Sequence, residues 1–370
     1  MGVGQGAVEG LAVNRGSWQG RRVFLTGHTG FKGGWLVMWL NSLGAEVHGY
    51  ALGAPAGPTL FRTCGIERLL AAHTEGDVRD AQRLAEALRR SRAEVVLHLA
   101  AQSLVRPSYA DPVGTFAINV MGTVHLLDAV RSCGSVGATV IVTSDKCYEN
   151  DGRGKTYVES DSLGGHDPYS ASKGCAEIVA ASYARSFLAA AGMPVATARA
   201  GNVLGGGDWS DDRLVPDLIR AIGRGQPLEV RAPNATRPWQ HVLEPLSGYL
   251  LLCERLLAGD GQCAGAWNFG PDLQDVRPVS WVLDELCQFL PGASWRPGPA
   301  PRLHEAAHLA LDSTKARNGL GWSPRWTLRE ALRRTAEWHA QAHAGADMAR
   351  VSLRQIEEFA AAGRVAGSAR

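Results

Sequence analysis

With 370 residues, of which 45% are hydrophobic, the chain is long enough to form one large α/β unit or two domains. Its formal net charge of +2 gives no electrostatic argument for binding nucleic acid or an anionic membrane. Because no apolar run reaches membrane-spanning length and the N-terminus lacks the pattern of a secretory signal, we expect a cytoplasmic protein without a membrane partner.

Residues 1–17 are rich in glycine and predict a flexible leader. From residue 18 to residue 198, short apolar runs typical of buried strands alternate with longer segments typical of helices. The strands are predicted at 21–26, 46–51, 94–99, 139–144 and 195–199, and the helices at 32–43, 80–91, 112–132 and 168–191. This alternation predicts an α/β fold of the Rossmann type, with a doubly wound parallel sheet.

The pattern changes after residue 198, where clusters of glycine and proline separate shorter elements. We expect a smaller, loop-rich C-terminal domain over residues 199–345, with part of 237–266 returning to the first domain. Residues 346–370 predict a C-terminal helix and tail.

Seven cysteines are spread over both parts of the chain, without a CxxC pair and with one left over. This spacing favours reduced thiols over a disulfide framework and predicts no metal site.

Residues 23–34, VFLTGHTGFKGG, combine an apolar strand, a glycine turn and the start of an apolar helix. Gly27, Gly30 and Gly33 follow one another at steps of three. This context is typical of a dinucleotide site, because glycines admit a pyrophosphate to the backbone and the helix N-terminus supplies free N–H groups. The alternative is a tight turn that only packs.

The second predicted strand ends as VHGYAL, residues 47–52, without an acidic residue for the ribose hydroxyls. It is also not followed by an arginine for a 2′-phosphate before Arg62. These features favour NAD over NADP. Asp77, after the turn at Gly76, either meets the adenine or caps the helix that follows.

Tyr169 and Lys173 stand four residues apart at the start of a predicted helix, so their side chains share one face. A free tyrosine has a pKa of about 10, which nearby positive charge lowers. We therefore expect Lys173 and an oxidised nicotinamide to lower the pKa of Tyr169, so that it deprotonates an alcohol while hydride leaves its carbon.

These features resemble the extended short-chain dehydrogenase/reductases, and among them the family of CDP-glucose 4,6-dehydratases, over roughly residues 20–345. The Tyr–Lys pair is common to the whole superfamily, whereas TSDKCYEN, GGGDW and RPWQHV are much narrower. The matching stretches are TGHTGFKG (26–33), HLAAQSLVRPSY (98–109), TSDKCYEN (143–150), LGGHDPYSASKG (163–174), RAGNVLGGGDW (199–209) and RPWQHVLEP (237–245).

The resemblance implies conversion of CDP-D-glucose to CDP-4-keto-6-deoxy-D-glucose and water, by C4 oxidation, C5/C6 elimination and hydride return to C6 with retained NAD. It also implies a homodimer, or a tetramer, through a four-helix bundle formed by helices 112–132 and 168–191 and their copies. The alternatives are another dehydratase or a 4-epimerase acting on GDP-mannose or on UDP- or dTDP-glucose, and a cofactor-sensing protein without catalysis.

The resemblance also implies roles for individual residues. Ser144 takes the hydroxyl position beside the C4 oxygen, Tyr169 is the base and Lys173 its electrostatic partner. Asp145 acts as the acid for the C6 hydroxyl. Lys146 stands where related dehydratases carry a glutamate, so the base that removes the C5 proton is either Lys146 or another group.

The remaining implied site residues fall into two sets. In addition to Tyr169 and Lys173, the cofactor set comprises Gly27, Thr29, Gly30, Phe31, Lys32, Gly33, Asp77, Val78, Ala100, Ala101, Gln102 and Asn119. The set for the CDP-sugar comprises Ser103, Arg106, Asn202, Arg231, Arg237 and His241.

Overall fold

Seven parallel strands form the central sheet of the computed structural model, which describes residues 13–299, 306 and 308–368. The strands are β1 (Arg22–Thr26), β2 (Glu46–Ala51), β3 (Ala72–Glu75), β4 (Val95–His98), β5 (Ala138–Val142), β6 (Val195–Ala200) and β7 (Gly265–Phe269). Their spatial order is β7-β6-β5-β4-β1-β2-β3, and every neighbouring pair is parallel. The predicted α/β fold with a doubly wound parallel sheet is confirmed.

Both faces of the sheet are covered, which explains why its strands read as continuous apolar runs. In β1, Val23 and Leu25 belong to the core on one face, whereas Phe24 belongs to the core on the other. All residues of β4 and β5 are buried.

Helices form the layers on the two faces and much of the C-terminal half. They are Arg15–Trp18, Phe31–Ser42, Leu60–Thr63, Ala81–Ser91, Val105–Ala110, Pro112–Phe116, Gly122–Arg131, Pro168–Tyr183, Leu214–Gly223, Leu243–Leu257, Val279–Phe289, Thr314–Leu320, Leu328–His343 and Met348–Ser368. Wider turns over Ala117–Met121 and Ala184–Leu188 continue two of them. The short helical turns are Ile66–Leu69, Asp145–Cys147, Gly261–Cys263 and Leu273–Asp275.

The C-terminal half is built around pairs of very short strands and a separate apolar core that includes Leu218, Val282 and Leu332. Three pairs lie within this half: Val203–Leu204 with Gln240–His241, Leu228–Val230 with Trp295–Pro297, and Thr236–Pro238 with Val276–Pro278. A fourth pairs Thr156–Tyr157 of the first half with Ala310–Leu311. The final helix returns to the first half, where Phe359 meets Trp39 edge to face at 5.7 Å.

Two strands, β3 and β7, were absent from the prediction. Both lie at an edge of the sheet, and β3 consists of exposed or half-buried residues without an apolar run. β7 comes from the C-terminal half and pairs with β6, following the helix Leu243–Leu257.

The predicted leader, residues 1–17, overlaps a structured segment. Its residues 1–12 lie outside the described part of the chain, but Arg15–Trp18 forms a short helix capped by Asn14. Trp18 is fully buried and donates a hydrogen bond from Nε1 to Glu254 at 2.6 Å. A tryptophan that finds both an apolar site and an acceptor anchors the segment.

The helical run Pro112–Arg131 corrects the expectation that no segment has membrane-spanning length. By length and composition alone this run of 20 residues, with a mean hydropathy of 1.4, is suited to cross a membrane. Half of it is buried inside the protein, and its buried Thr115 and Asn119 bond to Gln102. These contacts are those of a core helix.

Candidate active site

One large cavity opens at the carboxyl ends of the central strands, between the sheet and the C-terminal half. Its volume is about 800 Å³. Ligands of parallel α/β sheets bind at this edge. Every site residue predicted from the sequence lines this cavity except Asn119 and His241.

The glycine turn follows β1, lines the cavity and packs so closely on the neighbouring backbone that two of its positions exclude a side chain. Gly27 has a φ of 77°, and a Cβ there would lie 2.7 Å from the amide nitrogen of Ala100. A Cβ on Gly33 would lie 2.2 Å from the carbonyl oxygen of Gly27. The helix Phe31–Ser42 begins at Gly30 without a side-chain cap, so its first N–H groups face the cavity. This cradle fits the pyrophosphate of a dinucleotide.

The end of β2 carries neither an acidic side chain nor a guanidinium directed at a ribose. Leu52 is 58% exposed there, and Thr29 donates a hydrogen bond to its carbonyl oxygen at 3.0 Å. Arg62 donates to the backbone carbonyls of its own loop, at Ala54 and Gly57 among others. Asp77 is paired with Arg79 at 2.6 Å, and the helix that follows is capped by Asp80 rather than by Asp77.

Asn119 lies one layer behind the cavity. Its amide exchanges two hydrogen bonds of 2.9 Å with the backbone of Gln102 and donates a third to Ser172 at 2.8 Å. It therefore fixes the loop after β4, which carries Ala100 and Ala101, and does not line the cavity itself.

His241 does not line the cavity, so the structure does not place it where the predicted contact with the sugar would lie. It is fully buried, with its ring 5.9 Å from that of Trp35 and 4.9 Å from that of Trp326. Burial lowers its pKa to about 3. In RPWQHV the short strand Gln240–His241 turns this side chain into the apolar core, which the motif alone did not reveal.

Tyr169 and Ser144 meet at the centre of the cavity. Tyr169 is the second residue of the helix Pro168–Tyr183, which begins with the N-cap Asp167 and a proline in its first turn. Ser144 lies two residues after the end of β5 and caps a short helical turn by accepting the N–H of Lys146 at 3.2 Å. The hydroxyl of Ser144 acts on the phenol of Tyr169 and opposes the rise of its pKa. Lys173, one turn along the helix, donates to the carbonyl of Val142 at 3.3 Å.

The pKa of Tyr169 differs from the expectation. Burial raises it to about 12, and this effect exceeds the opposing influence of Ser144 and Arg213. Burial also lowers the pKa of Lys173 to about 8. The protein alone therefore holds the tyrosine as a neutral phenol, and the positive charge of an oxidised nicotinamide would lower its pKa.

Asp145 and Lys146 lie beside Ser144 in the same cavity. The Ser144 hydroxyl donates to Asp145 Oδ1 at 3.0 Å, whereas the buried Oδ2 has no hydrogen-bond partner in the described residues. Burial raises the pKa of Asp145 and lowers that of Lys146, and these shifts exceed the opposing influence that each charge has on the other. Both groups are displaced towards a neutral acid and a neutral amine.

Two of the predicted substrate arginines lie at the mouth of the cavity, held by one carboxylate. Asp212 Oδ1 is 3.0 Å from Arg106 and 3.6 Å from Arg231. Arg237 lies deeper, donates to the carbonyl of Thr236 at 2.9 Å and acts electrostatically on Asp145 and Lys146. Asn202 lines the same wall.

Two charged groups, one in the cavity and one behind it, were not predicted from the sequence. Arg213 donates to the carbonyl of Ser103 at 3.4 Å, and its charge acts on Lys32, Lys146 and Tyr169. Glu177 lies behind the cavity and raises the pKa of Lys173. Its position four residues after Lys173 is the signal that would have found it.

Residues 23–270 match the family model described as the NAD dependent epimerase/dehydratase family. The chain belongs to this family. Membership confirms the predicted NAD cofactor and the expectation of an extended short-chain dehydrogenase/reductase.

Three individual proteins show which kinds of family member this chain is similar to. A CDP-glucose 4,6-dehydratase from Salmonella typhimurium (strain LT2) is 46% identical over 356 residues, which cover 95% of this chain and 99% of the relative. MoeE5 in complex with UDP-glucose and NAD is 26% identical, with a TM-score of 0.72 over 87% of this chain and 99% of MoeE5. The DesIV double mutant, a dTDP-glucose 4,6-dehydratase from Streptomyces venezuelae with NAD and DAU bound, has the same TM-score and identity over 88% of this chain and 98% of its own.

Proposed function

We propose that the protein is a CDP-D-glucose 4,6-dehydratase, which forms CDP-4-keto-6-deoxy-D-glucose and water. The observation that carries the proposal is the Asp145–Lys146 pair beside Ser144, in the cavity that also contains Tyr169 and Lys173. A 4-epimerase needs the tyrosine and the hydroxyl but no acid and base for loss of water. The relative from Salmonella typhimurium, at 46% identity, supports CDP-glucose as the substrate.

The first step is deprotonation of the C4 hydroxyl of the sugar. Tyr169 accepts this proton as the phenolate, a form that the positive charges of oxidised NAD and of the Lys173 ammonium would favour, while Ser144 hydrogen-bonds the C4 oxygen. When bound, NAD would accept the hydride from C4 and, as NADH, would later return it to C6. The glycine turn and the loop after β4, braced by Asn119, hold the cofactor.

The second step is the loss of water across C5 and C6. A C4 ketone acidifies the C5 proton, which neutral Lys146 removes. Asp145, whose pKa is raised by burial, gives its proton to the departing C6 hydroxyl. Ser144 and Tyr169 hold C4, and the two side chains directly after Ser144 reach the next carbons.

The two halves of the chain divide the ligands between them. Residues 18–198, with the returning helix Leu243–Leu257 and β7, bind NAD, whereas residues 199–345 mainly bind the nucleotide sugar. In the second part, Arg231, Arg237 and Asn202 meet the diphosphate, joined by Ser103 and Arg106 from the loop after β4.

The exposed faces of the helical runs at 112–131 and 168–188 support a homodimer. They carry large apolar side chains that a monomer leaves in water: Val113, Phe116, Met121, Ile178 and Phe187, which are 36–79% exposed. The seven cysteines, all of them free thiols, support a cytoplasmic location.

The proposal is tested by incubating the protein and NAD separately with CDP-, UDP-, GDP- and dTDP-glucose. Loss of one water, detected as a decrease of about 18 mass units by the chemistry of elimination, is expected with CDP-glucose. Dehydration of another nucleotide sugar alone would replace the proposed substrate. An isomer of unchanged mass would indicate an epimerase.

A further inference from the structure

A buried carboxylate lies behind the catalytic helix and is not used by the mechanism above. Glu177 is 3% exposed. Its Oε1 accepts a hydrogen bond from the hydroxyl of Thr143. Its Oε2 accepts one from Thr197 at 2.7 Å and one from the guanidinium of Arg199 at 2.7 Å. Three donors on two oxygens specify both the place and the orientation of this carboxylate.

The partners of Glu177 belong to the strands, whereas Glu177 itself belongs to the helix Pro168–Tyr183. Thr143 directly precedes Ser144 at the end of β5, and Thr197 and Arg199 lie on β6. The network therefore joins the catalytic helix to the strand that carries the catalytic hydroxyl. Arg199 is fixed from behind by Tyr148, to which it donates at 2.8 Å.

On the helix, Tyr169, Lys173 and Glu177 follow one another at steps of four residues. Side chains at this spacing lie above one another on one face. Glu177 is thus the neighbour of Lys173 on the side away from Tyr169, and its charge raises the pKa of Lys173.

We propose that Glu177 is a positioning residue for the oxidation step, which sets the distance between Tyr169 and Ser144 and keeps Lys173 as an ammonium ion. The inference rests on the proposed function, because it assigns Lys173 the task of stabilising the Tyr169 phenolate. An ion pair that served only to stabilise the fold would not require the second oxygen to hold Thr143, next to Ser144.

The surroundings of Lys173 explain why its ammonium form needs a carboxylate such as Glu177 nearby. Lys32 faces it from the helix after the glycine turn, and His98 faces it from the end of β4. Cys147 faces it from the turn after β5. Burial and the neighbouring Lys32 disfavour the ammonium form, and Glu177 is the one carboxylate among the described residues that acts on Lys173 in the opposite sense.

The test is the pH profile of NADH formation in a single turnover of the protein with NAD and CDP-glucose. Removing one nearby charge shifts a buried pKa by about one unit or more. The alkaline limb of this profile is the range in which the rate falls as the pH rises. In Glu177→Gln the midpoint of the limb should therefore decrease by about one pH unit. With a pKa of about 8 for Lys173 in wild type, the rate relative to wild type should fall about sixfold more at pH 8.5 than at pH 6.5. Glu177→Asp, which keeps the charge, should restore the position of the limb at a lower plateau.

Glu244→Gln is the matched control, because Glu244 is also fully buried but bonds to the backbone N–H groups of Arg325 and Trp326 away from the cavity. Its alkaline limb should not move. A uniform loss of rate in Glu177→Gln, with the limb unchanged, would overturn the proposal and leave Glu177 as a structural residue.

Two further experiments test the proposal if Glu177→Gln does not fold or if CDP-glucose is not the substrate. If Glu177→Gln does not fold, Glu177→Gln combined with Arg199→Gln removes both charges, which a buried site tolerates better than the loss of one partner. The limb should move in this double variant as well, and a stationary limb would refute the proposal. If wild type does not act on CDP-glucose, the proposed substrate is wrong, and the same profile is measured with the nucleotide sugar that it dehydrates.

Discussion

Binding of NAD should weaken as the pH rises above 7, because of Lys32. This side chain lies in the helix after the glycine turn, with its amine 3.3 Å from the hydroxyl of Tyr249. Burial lowers its pKa to about 7, and the charges of Arg213 and Lys173 act in the same direction. The pyrophosphate of NAD is anionic and favours the ammonium form, so the complex keeps this proton to a higher pH than the free protein.

The magnitude follows from the fraction of protein that carries the proton on Lys32. With a pKa of about 7, that fraction is about one half at pH 7 and about one eleventh at pH 8. If NAD binds the protonated form, the Kd should rise about fivefold between pH 7 and pH 8 and change about twofold between pH 6 and pH 7. Binding at pH 7 should take up about half a proton per NAD at this residue.

Calorimetry of NAD binding at pH 6, 7 and 8, in buffers with different ionisation enthalpies, measures both quantities. Lys32→Met keeps most of the apolar stem and removes the charge, so its Kd should be higher at pH 6 and nearly constant up to pH 8. The pKa of Lys173 is about 8, so above pH 8 its loss of a proton would add to that of Lys32. The comparison therefore ends at pH 8. A wild-type Kd that does not change between pH 6 and pH 8 would refute the argument, as would an unchanged pH dependence in Lys32→Met.

Three other predictions concern the sugar. Tyr169→Phe should fold normally but lose at least about 10²-fold in turnover, the scale for removal of a general base, and near-normal turnover would exclude the tyrosine as the base. Arg237→Ala should weaken binding of the CDP-sugar in calorimetry with little change for NAD, whereas equal affinities for the CDP-sugar would remove Arg237 from the site. Asp145→Asn and Lys146→Met should still form NADH in a single turnover yet release little dehydrated product. Normal C5 deuterium exchange in Lys146→Met would assign the base elsewhere.

The features that the sequence predicted well are those with a local signal. The glycine turn is one, because Gly27 needs a positive φ and Gly33 lies against a backbone carbonyl. The central strands are another, since a strand covered on both faces must be apolar throughout. β3 lacks this signal because its residues remain partly exposed at the edge, and the pairing of β7 with β6 joins segments about 70 residues apart.

His241 and Asn119 show why a residue in a matching motif need not face the site. His241 directly follows Gln240 in a two-residue strand, where neighbouring side chains point to opposite sides. Asn119 is turned towards the backbone of Gln102 by the fold of a distant loop. Which side of an element faces the cavity depends on packing between segments far apart in the chain.

The electrostatics of the cavity also depend on the fold and not on composition. A net charge of +2 over 370 residues indicates no anion site. The fold nevertheless brings Lys32, Lys146, Lys173, Arg213 and Arg237 to one cavity. Burial lowers the pKa values of all three lysines there, which disfavours their charged forms in the free protein. Anionic ligands reverse this effect, because each phosphate favours the charged amines. Binding of the cofactor pyrophosphate and of the sugar diphosphate should therefore each take up protons, which couples the two ligands through the lysines between them.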